Sequence, residues 1–279
     1  MEPTCAGGAG QTLHLHILGS GSKGNCALVE GPEGLIMIDD GLSRSAVLER
    51  MHALGLSESD VRALILTHEH HDHVSGVAVW CKHFDGELYA SRGTPETRKY
   101  LSCLPFEEFD PGDAFEIAGV RVETFATSHD VVNPTGFRFS CRGDAIGYVT
   151  DTGRLSPDAM HLLSHARILA LESNHDMQML RAGPYPRVLQ DRIASEHGHL
   201  SNAEAAGLLP QLIDEHTEQV AAMHLSQKNN RPSLAVRALA EAVGAEPDDE
   251  VWSGATLVRE DGSKLHIQAA SQEIPMTLM

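Results

Sequence analysis

Apolar and polar positions alternate or cluster along this chain in short blocks, which read as strands separated by turns and helices. Residues 13–18 alternate, Leu-His-Leu-His-Ile-Leu, and predict a strand that carries His14 and His16 on one solvent-facing side. Residues 26–30 and 35–38 predict a hairpin around Gly31-Pro32-Glu33-Gly34. A helix is predicted over 43–54, with Ser43 as its N-cap and Gly55 as its stop. The aliphatic run 63–66 predicts a buried strand, followed by a helix at 74–82, a strand at 87–90 and a helix at 94–101. Strands follow at 114–117, 120–127, 136–140 and 145–150. Then the pattern turns over: helix 157–163, strand 167–171, helices 186–193 and 202–209, strand 219–223 and helix 232–243. The hairpin 255–259/264–268, turning at Asp261-Gly262, closes the chain. Residues 1–11, rich in Gly and Ala, predict a disordered start, and 12–279 contain no linker or repeat, which predicts a single domain. Strands first antiparallel and then alternating with helices predict an α/β (α+β) sandwich of two mixed β-sheets flanked by helices.

Composition narrows the function classes. The chain has 279 residues, 42% of them hydrophobic, which is ample for a sizeable core. With 21 Lys and Arg against 39 Asp and Glu, its net charge is −18. That excludes a broad basic footprint on duplex DNA, but not an anion captured at bound cations, whose charge dominates the local field. The five cysteines, Cys5, Cys26, Cys81, Cys103 and Cys141, form no CxxC pair, so a zinc ribbon or dithiol redox site is excluded. They read as free thiols in a reducing compartment. The start lacks a basic region followed by an apolar one, and no apolar run is long enough to span a bilayer. The expected setting is cytoplasmic, without membrane contact; no protein partner follows from the sequence.

Chemistry concentrates in Thr67-His68-Glu69-His70-His71-Asp72-His73, just after the buried strand 63–66. Neutral imidazole and carboxylate are the usual ligands of Zn, Mn and Fe. Residues 68 and 70 can point one way while 72 and 73 turn toward a neighbouring position, so the segment could hold two cations side by side. A solvated polar loop is the competing explanation, and this density after a buried strand argues against it. The same event recurs: His129, Asp151 and His224 each stand just past a predicted strand, and Glu172 ends another. The turn Gly19-Ser20-Gly21-Ser22-Lys23-Gly24-Asn25 could bring backbone N–H groups to an anion, but it lacks the Lys-Ser/Thr ending of a P-loop.

His68-x-His70-x-Asp72-His73 resembles the HxHxDH motif of the metallo-β-lactamase-fold hydrolases, and the resemblance runs from about Leu13 to the final hairpin. It implies an αββα sandwich. Carried over, His68, His70 and His129 would bind one divalent ion, Asp72, His73 and His224 a second, and Asp151 would bridge them. Asp39 would orient the histidines from behind. Two such ions, Zn or Mn with Fe also compatible, would share the attacking hydroxide. Flavin-linked diiron relatives place Glu where His70 stands, so a redox role is disfavoured. The segment from His199 to Ala206 resembles one in tRNase Z-like phosphodiesterases, where a His donates the proton to the leaving oxygen and a Glu, here Glu172, supports it. Asp72, His199 and Glu172 are thus the expected catalytic set. The His that precedes Glu in those enzymes is missing, so His175 and His197 stay open as donors, and capping of the helix from Ser201 would also explain His197 and His199.

Taken together, the segments 18–25, 133–137, 149–153, 172–176, 198–202 and 224–230 are similar to the YycJ/WalJ-type exodeoxyribonuclease subgroup. That resemblance implies a metal-dependent phosphodiesterase, a DNA 5′-exonuclease acting on ends or single strands. Ser201, Asn202, Ser226, Asn229 and Arg187 are candidate phosphate contacts, with Arg181, Arg192, Lys228 and Arg231 as further local cations and Tyr185 as a stacking ring. For each cation alone, a solvated helix face is the plainer explanation, and Asn229 and Asn230 could cap the next helix. Two other readings compete. One is a small-molecule hydrolase acting on a cyclic or small phosphodiester, a thioester or a lactone. The other is a non-catalytic metal-binding module, whose signature would be a lost ligand.

Overall fold

The computed structural model describes residues 13–279, so the expected disorder of 1–11 lies outside the described residues. The first half runs β1 (His14–Gly19), β2 (Cys26–Gly31), β3 (Gly34–Ile38), α1 (Arg44–Ala53), β4 (Val61–Ile65), α2 (His71–Val74), α3 (Val77–Trp80), β5 (Glu87–Ser91) and β6 (Glu107–Phe109). Then come β7 (Ala114–Ile117), β8 (Val120–Ala126), β9 (Thr135–Cys141), β10 (Asp144–Val149), α4 (Pro157–Leu163), β11 (Ile168–Glu172), α5 (Met177–Ala182), α6 (Arg187–Ile193) and α7 (Asn202–Leu212). The chain closes with β12 (Gln219–Met223), α8 (Pro232–Val243), β13 (Glu246–Pro247), β14 (Gly254–Val258), β15 (Lys264–Ala269) and β16 (Met276–Leu278).

Two mixed sheets result. One has the order β16-β1-β2-β3-β4-β5-β6, the other β13-β14-β15-β12-β11-β10-β9-β8-β7. Because strand side chains alternate, each buried strand feeds two layers. Leu15, Ile17, Val29, Ile36 and Ile65 of the first sheet meet Val122, Phe137, Phe139, Ile146 and Tyr148 of the second in the central core. The outer face of the first sheet packs Leu28, Met37 and Leu64 under Val47, Met51 and Trp80. On the second sheet, Leu169, Leu171 and Val220 pack under Leu163, Leu209 and Leu239. This is the expected helix–sheet–sheet–helix sandwich. The parallel neighbours β3–β4 and β10–β11–β12 bring their carboxyl ends to one rim.

Several local expectations are corrected. The helix placed at 74–82 begins at His71 and breaks at Gly76, where a Cβ would lie 2.5 Å from Asp40 Oδ1. The helix placed at 94–101 shrinks to a 3-10 turn, Pro95–Thr97, as Thr94 Oγ1 turns away to donate to Val132 O at 3.2 Å. Short β6, α5 and β16 were not expected, being too brief to show a period. β16 overturns the placement of His16: it pairs with β1 at His16↔Thr277 and leaves that ring only 4% exposed.

Candidate metal centre

Three of the expected residues, Asp39, Asp151 and His224, stand just past β3, β10 and β12 with φ of 58°, 56° and 54°. Left-handed backbone at non-glycine residues costs about 1–3 kcal/mol each and persists where the surroundings demand it. Here it turns each side chain sharply off its strand and onto the shared rim.

Asp39 fixes the histidine loop. Its Oδ1 accepts the Thr67 N–H at 2.8 Å, and its Oδ2 accepts the Thr67 hydroxyl at 2.8 Å and lies 2.7 Å from His73 Nδ1. The Asp39 carboxylate accepts, so His73 Nδ1 carries a proton and Nε2 is the nitrogen that faces Asp151. Since the Thr67 hydroxyl donates to Asp39, it accepts from His68 Nδ1 at 2.9 Å, which frees His68 Nε2. His129 Nδ1 donates to Gly198 O at 3.1 Å, and its Nε2 faces His70 Nδ1 at 3.2 Å. His224 Nδ1 donates to Glu172 Oε1 at 3.1 Å, leaving Nε2 toward Asp72 Oδ2 at 3.5 Å. Asp151 Oδ2 lies 3.2 Å from His73 Nε2.

Burial without partners shows what these atoms face. His68 Nε2, His224 Nε2 and Asp151 Oδ2 are buried and make no hydrogen bond. Such atoms are costly unless something else satisfies them. Potential donor atoms fall within 4.8 Å of one another in overlapping groups that include His68, His70 and His129; Asp72, His73 and His224; His68, His73 and Asp151; and Asp151, Glu172, His199 and His224. The His/Asp set therefore fits divalent metal binding.

The electrostatics describe opposite charges crowded into one buried cluster. Burial pushes the His68 imidazole well below its usual range and lowers His70, keeping both neutral. Burial would lower His73 and His224 too, but Asp151 and Asp39 raise His73 well above the histidine range. Asp151, Asp72 and Glu172 raise His224 to about 10. Burial opposes ionisation of the carboxylates, yet His224 and His73 hold Asp72 at about 2, and His199 and His224 hold Glu172 at about 2. Asp151 falls well below the carboxylate range despite its burial, through His224 and His73. The carboxylates are thus ionised at neutral pH, the form that ligates cations.

His199 lies beside this cluster with Nδ1 2.8 Å from Glu172 Oε1, while Glu172 Oε2 accepts the Thr152 N–H at 2.8 Å. His199 borders two small cavities. One, about 180 Å³, is also lined by Ser22, Asp72, Asn174, Tyr185 and Ser226. The other, about 170 Å³, is lined by His129, Asp130, Leu189, Arg192 and His197. The alternatives are placed differently: His175 is fully buried with neither ring nitrogen bonded, and His197 Nδ1 pairs with Ser128 Oγ at 3.2 Å. A larger concavity of about 780 Å³ lies around Arg142, Arg167 and His216, at the opposite ends of β10–β12, away from this cluster.

A model of the Metallo-beta-lactamase superfamily matches residues 19–203. The chain belongs to that superfamily. It is 34% identical over 227 residues to Exodeoxyribonuclease YycJ of Bacillus anthracis, covering 80% of this chain and 86% of that one. It is 33% identical over 247 residues to Exodeoxyribonuclease WalJ of Streptococcus pneumoniae, covering 85% and 92%. The crystal structure of the metallo-beta-lactamase fold protein YhfI from Bacillus subtilis superposes with a TM-score of 0.66 at 12% identity, covering 96% of this chain and 100% of that one, and so shares the fold.

Within this metallo-β-lactamase-superfamily chain, the expected phosphate contacts divide. Ser226 lines the 180 Å³ cavity. Ser201 caps α7 through a reciprocal box with Glu204, and Asn202 Oδ1 accepts from Ser173 Oγ at 2.8 Å and from Asn230 Nδ2 at 2.9 Å, so both are spent on structure. Asn229 is 1% exposed and borders neither cavity. Arg187 lies 3.5 Å from Asp191 on the exposed side of α6, whereas Arg192 lines the smaller cavity and pairs with Asp130. Sequence reasoning missed Asn25, whose N–H donates to Asp72 O at 2.7 Å and whose Nδ2 is 3.0 Å from His73 Nε2. It also missed Asn174, whose Nδ2 donates to His224 O at 2.8 Å. Both stand in the motif-like segments noted above, which was the available signal.

Proposed function

We propose that the protein is a metal-dependent DNA exonuclease, and that His68, His70, Asp72, His73, His129, Asp151 and His224 hold two divalent ions, Zn or Mn. The observation that carries this reading is the Glu172–His199 pair set against the ligand cluster at the cavity rim. A carbonyl-directed hydrolase has less need of a second, independently supported proton donor there. The exodeoxyribonuclease names of the YycJ and WalJ relatives support the choice of DNA, and resemblance to them supports 5′ polarity.

Bound ions would supply Lewis acidity toward the phosphate and lower the pKa of the attacking water. The chain's own residues do the rest. Asp39 and Thr67 orient His73 and His68, Glu172 orients His224, and Gly198 O orients His129. Glu172 holds the His199 Nδ1 proton, so that Nε2 turns to the cavity and delivers a proton to the departing sugar oxygen. Arg192 and Ser226 contact flanking phosphates. The reading treats 12–279 as one hydrolase domain working in the cytoplasm. Consistent with a reducing compartment, Cys26, Cys81, Cys103 and Cys141 are all free, and no described helix is long and apolar enough to cross a membrane.

The test uses DNA labelled at either end, single- and double-stranded, with added Mn or Zn. Asp72→Ala is expected to abolish release of labelled nucleotide. His199→Ala is expected to keep its bound metal while turning over about 10²–10⁴-fold more slowly. Equal activity of Asp72→Ala and wild type would sink the assignment. The small cavities and the −18 charge favour a second reading, a hydrolase of small phosphodiesters. Faster turnover of bis-p-nitrophenyl phosphate than of any oligonucleotide would select it.

A further inference from the structure

A second cluster of metal-ligand side chains stands outside this centre, at the other end of β1 and β2. His14 and His16 are two residues apart on a strand and so share a face, and Glu30 is the cross-strand partner of His14. His14 Nδ1 lies 2.9 Å from Glu30 Oε2, and His16 Nε2 lies 3.2 Å from the same oxygen. The remaining His16 nitrogen, Nδ1, is 2.8 Å from Thr277 Oγ1 of β16. Potential donor atoms of the three residues lie within 4.8 Å of one another.

We propose that His14, His16 and Glu30 form a separate divalent transition-metal site of the zinc class, which ties β1 to β2 and, through Thr277, to the C-terminal strand. Donors about 2.0–2.2 Å from zinc at tetrahedral angles stand about 3.3 Å apart, close to the spacing already present. A histidine ligand is commonly steadied by a hydrogen bond to its other nitrogen, and Thr277 occupies that place. Two imidazoles and one carboxylate leave the fourth position to water, and the Glu30 side chain is 43% exposed, so water reaches it. Neither cavity that borders His199 is lined by these residues, so the site stands apart from the candidate centre.

The proposal is independent of the nuclease reading and is tested without it. The full chain is stripped with chelator, reloaded with Zn, desalted, and its metal counted in wild type, His14→Ala and Glu30→Gln. Each variant is expected to hold one equivalent less than wild type, whatever number the main centre takes, and to show a smaller Zn-induced rise in melting temperature. DNA hydrolysis in Mn should be the same in all three. Equal metal content and an equal thermal shift in wild type and both variants overturn the site. Both substituted positions are partly exposed, and Glu30→Gln keeps the side chain's shape, so this variant alone decides the matter should His14→Ala fold poorly.

Discussion

Asp40 shows how much of the energetics near the centre rests on one side chain. It is fully buried, and burial raises its pKa from 3.8 to about 7 against the lowering pull of the Leu42 backbone N–H, with Asp39 adding to the push. A carboxyl whose pKa is raised on folding binds more protons folded than unfolded between those two values. Stability therefore falls as pH rises through the window from about 4 to about 7, and the loss is complete above it. The difference corresponds to about 4 kcal/mol. Asp40→Asn removes the charge and nearly keeps the shape. Its urea midpoint should match wild type near pH 4 and exceed it increasingly up to pH 8. A gap independent of pH would show that Asp40 is not the titrating group. Resemblance singled out Asp39, but nothing in the sequence marked the burial of its neighbour Asp40, because that comes from elements packed on it from elsewhere in the chain.

At the scale of elements, the turn after β3 and the first turn of α2 fit together without slack. Gly41 N donates to Asn25 O at 2.9 Å, and a Cβ on Gly41 would lie 1.7 Å from Asp72 O. Any side chain there must push away the turn that carries Asp72 and His73. Gly41→Ala should destabilise the fold by about 1–3 kcal/mol as overpacking does. Displacing ligands by about an ångström should cut turnover about 100-fold. Chemical denaturation and steady-state rates measured on the same preparation check both numbers; full activity would mean that the turn relaxes elsewhere. Long elements such as α8 and β8 were legible because their periods repeat. By contrast α2, β6 and β16 were not, since three or four residues show no period and take their shape from neighbours.

Across the whole molecule, the candidate ligand cluster joins the two sheets, with His68 on the loop after β4, His73 in α2, and His129, Asp151 and His224 on loops of the other sheet. Ions bound there stabilise only the folded chain. At a hundredfold excess over its dissociation constant, each ion adds about 2.7 kcal/mol. Chelation should therefore lower the melting temperature by about 10 °C for two ions, and re-addition should restore it. Protons compete for the imidazoles, first at His73 and His224, so the metal-induced shift should shrink steadily as pH falls. An unchanged melting curve after verified metal removal would count against a buried two-ion centre.

The sequence by itself determined the alternation that makes two buried sheets, and the placing of a metal-ligand residue type just past each of four strands. Both are local: a period and a strand ending need no partner to be read. Tertiary structure decided what depends on which strands become neighbours. It set His199 rather than His175 against Glu172, turned Arg192 to the cavity and Arg187 away, and covered His16 with a strand from the far end of the chain. Side-chain direction and proton position follow from contacts between residues that lie up to 261 apart in sequence, and no window along the chain contains them.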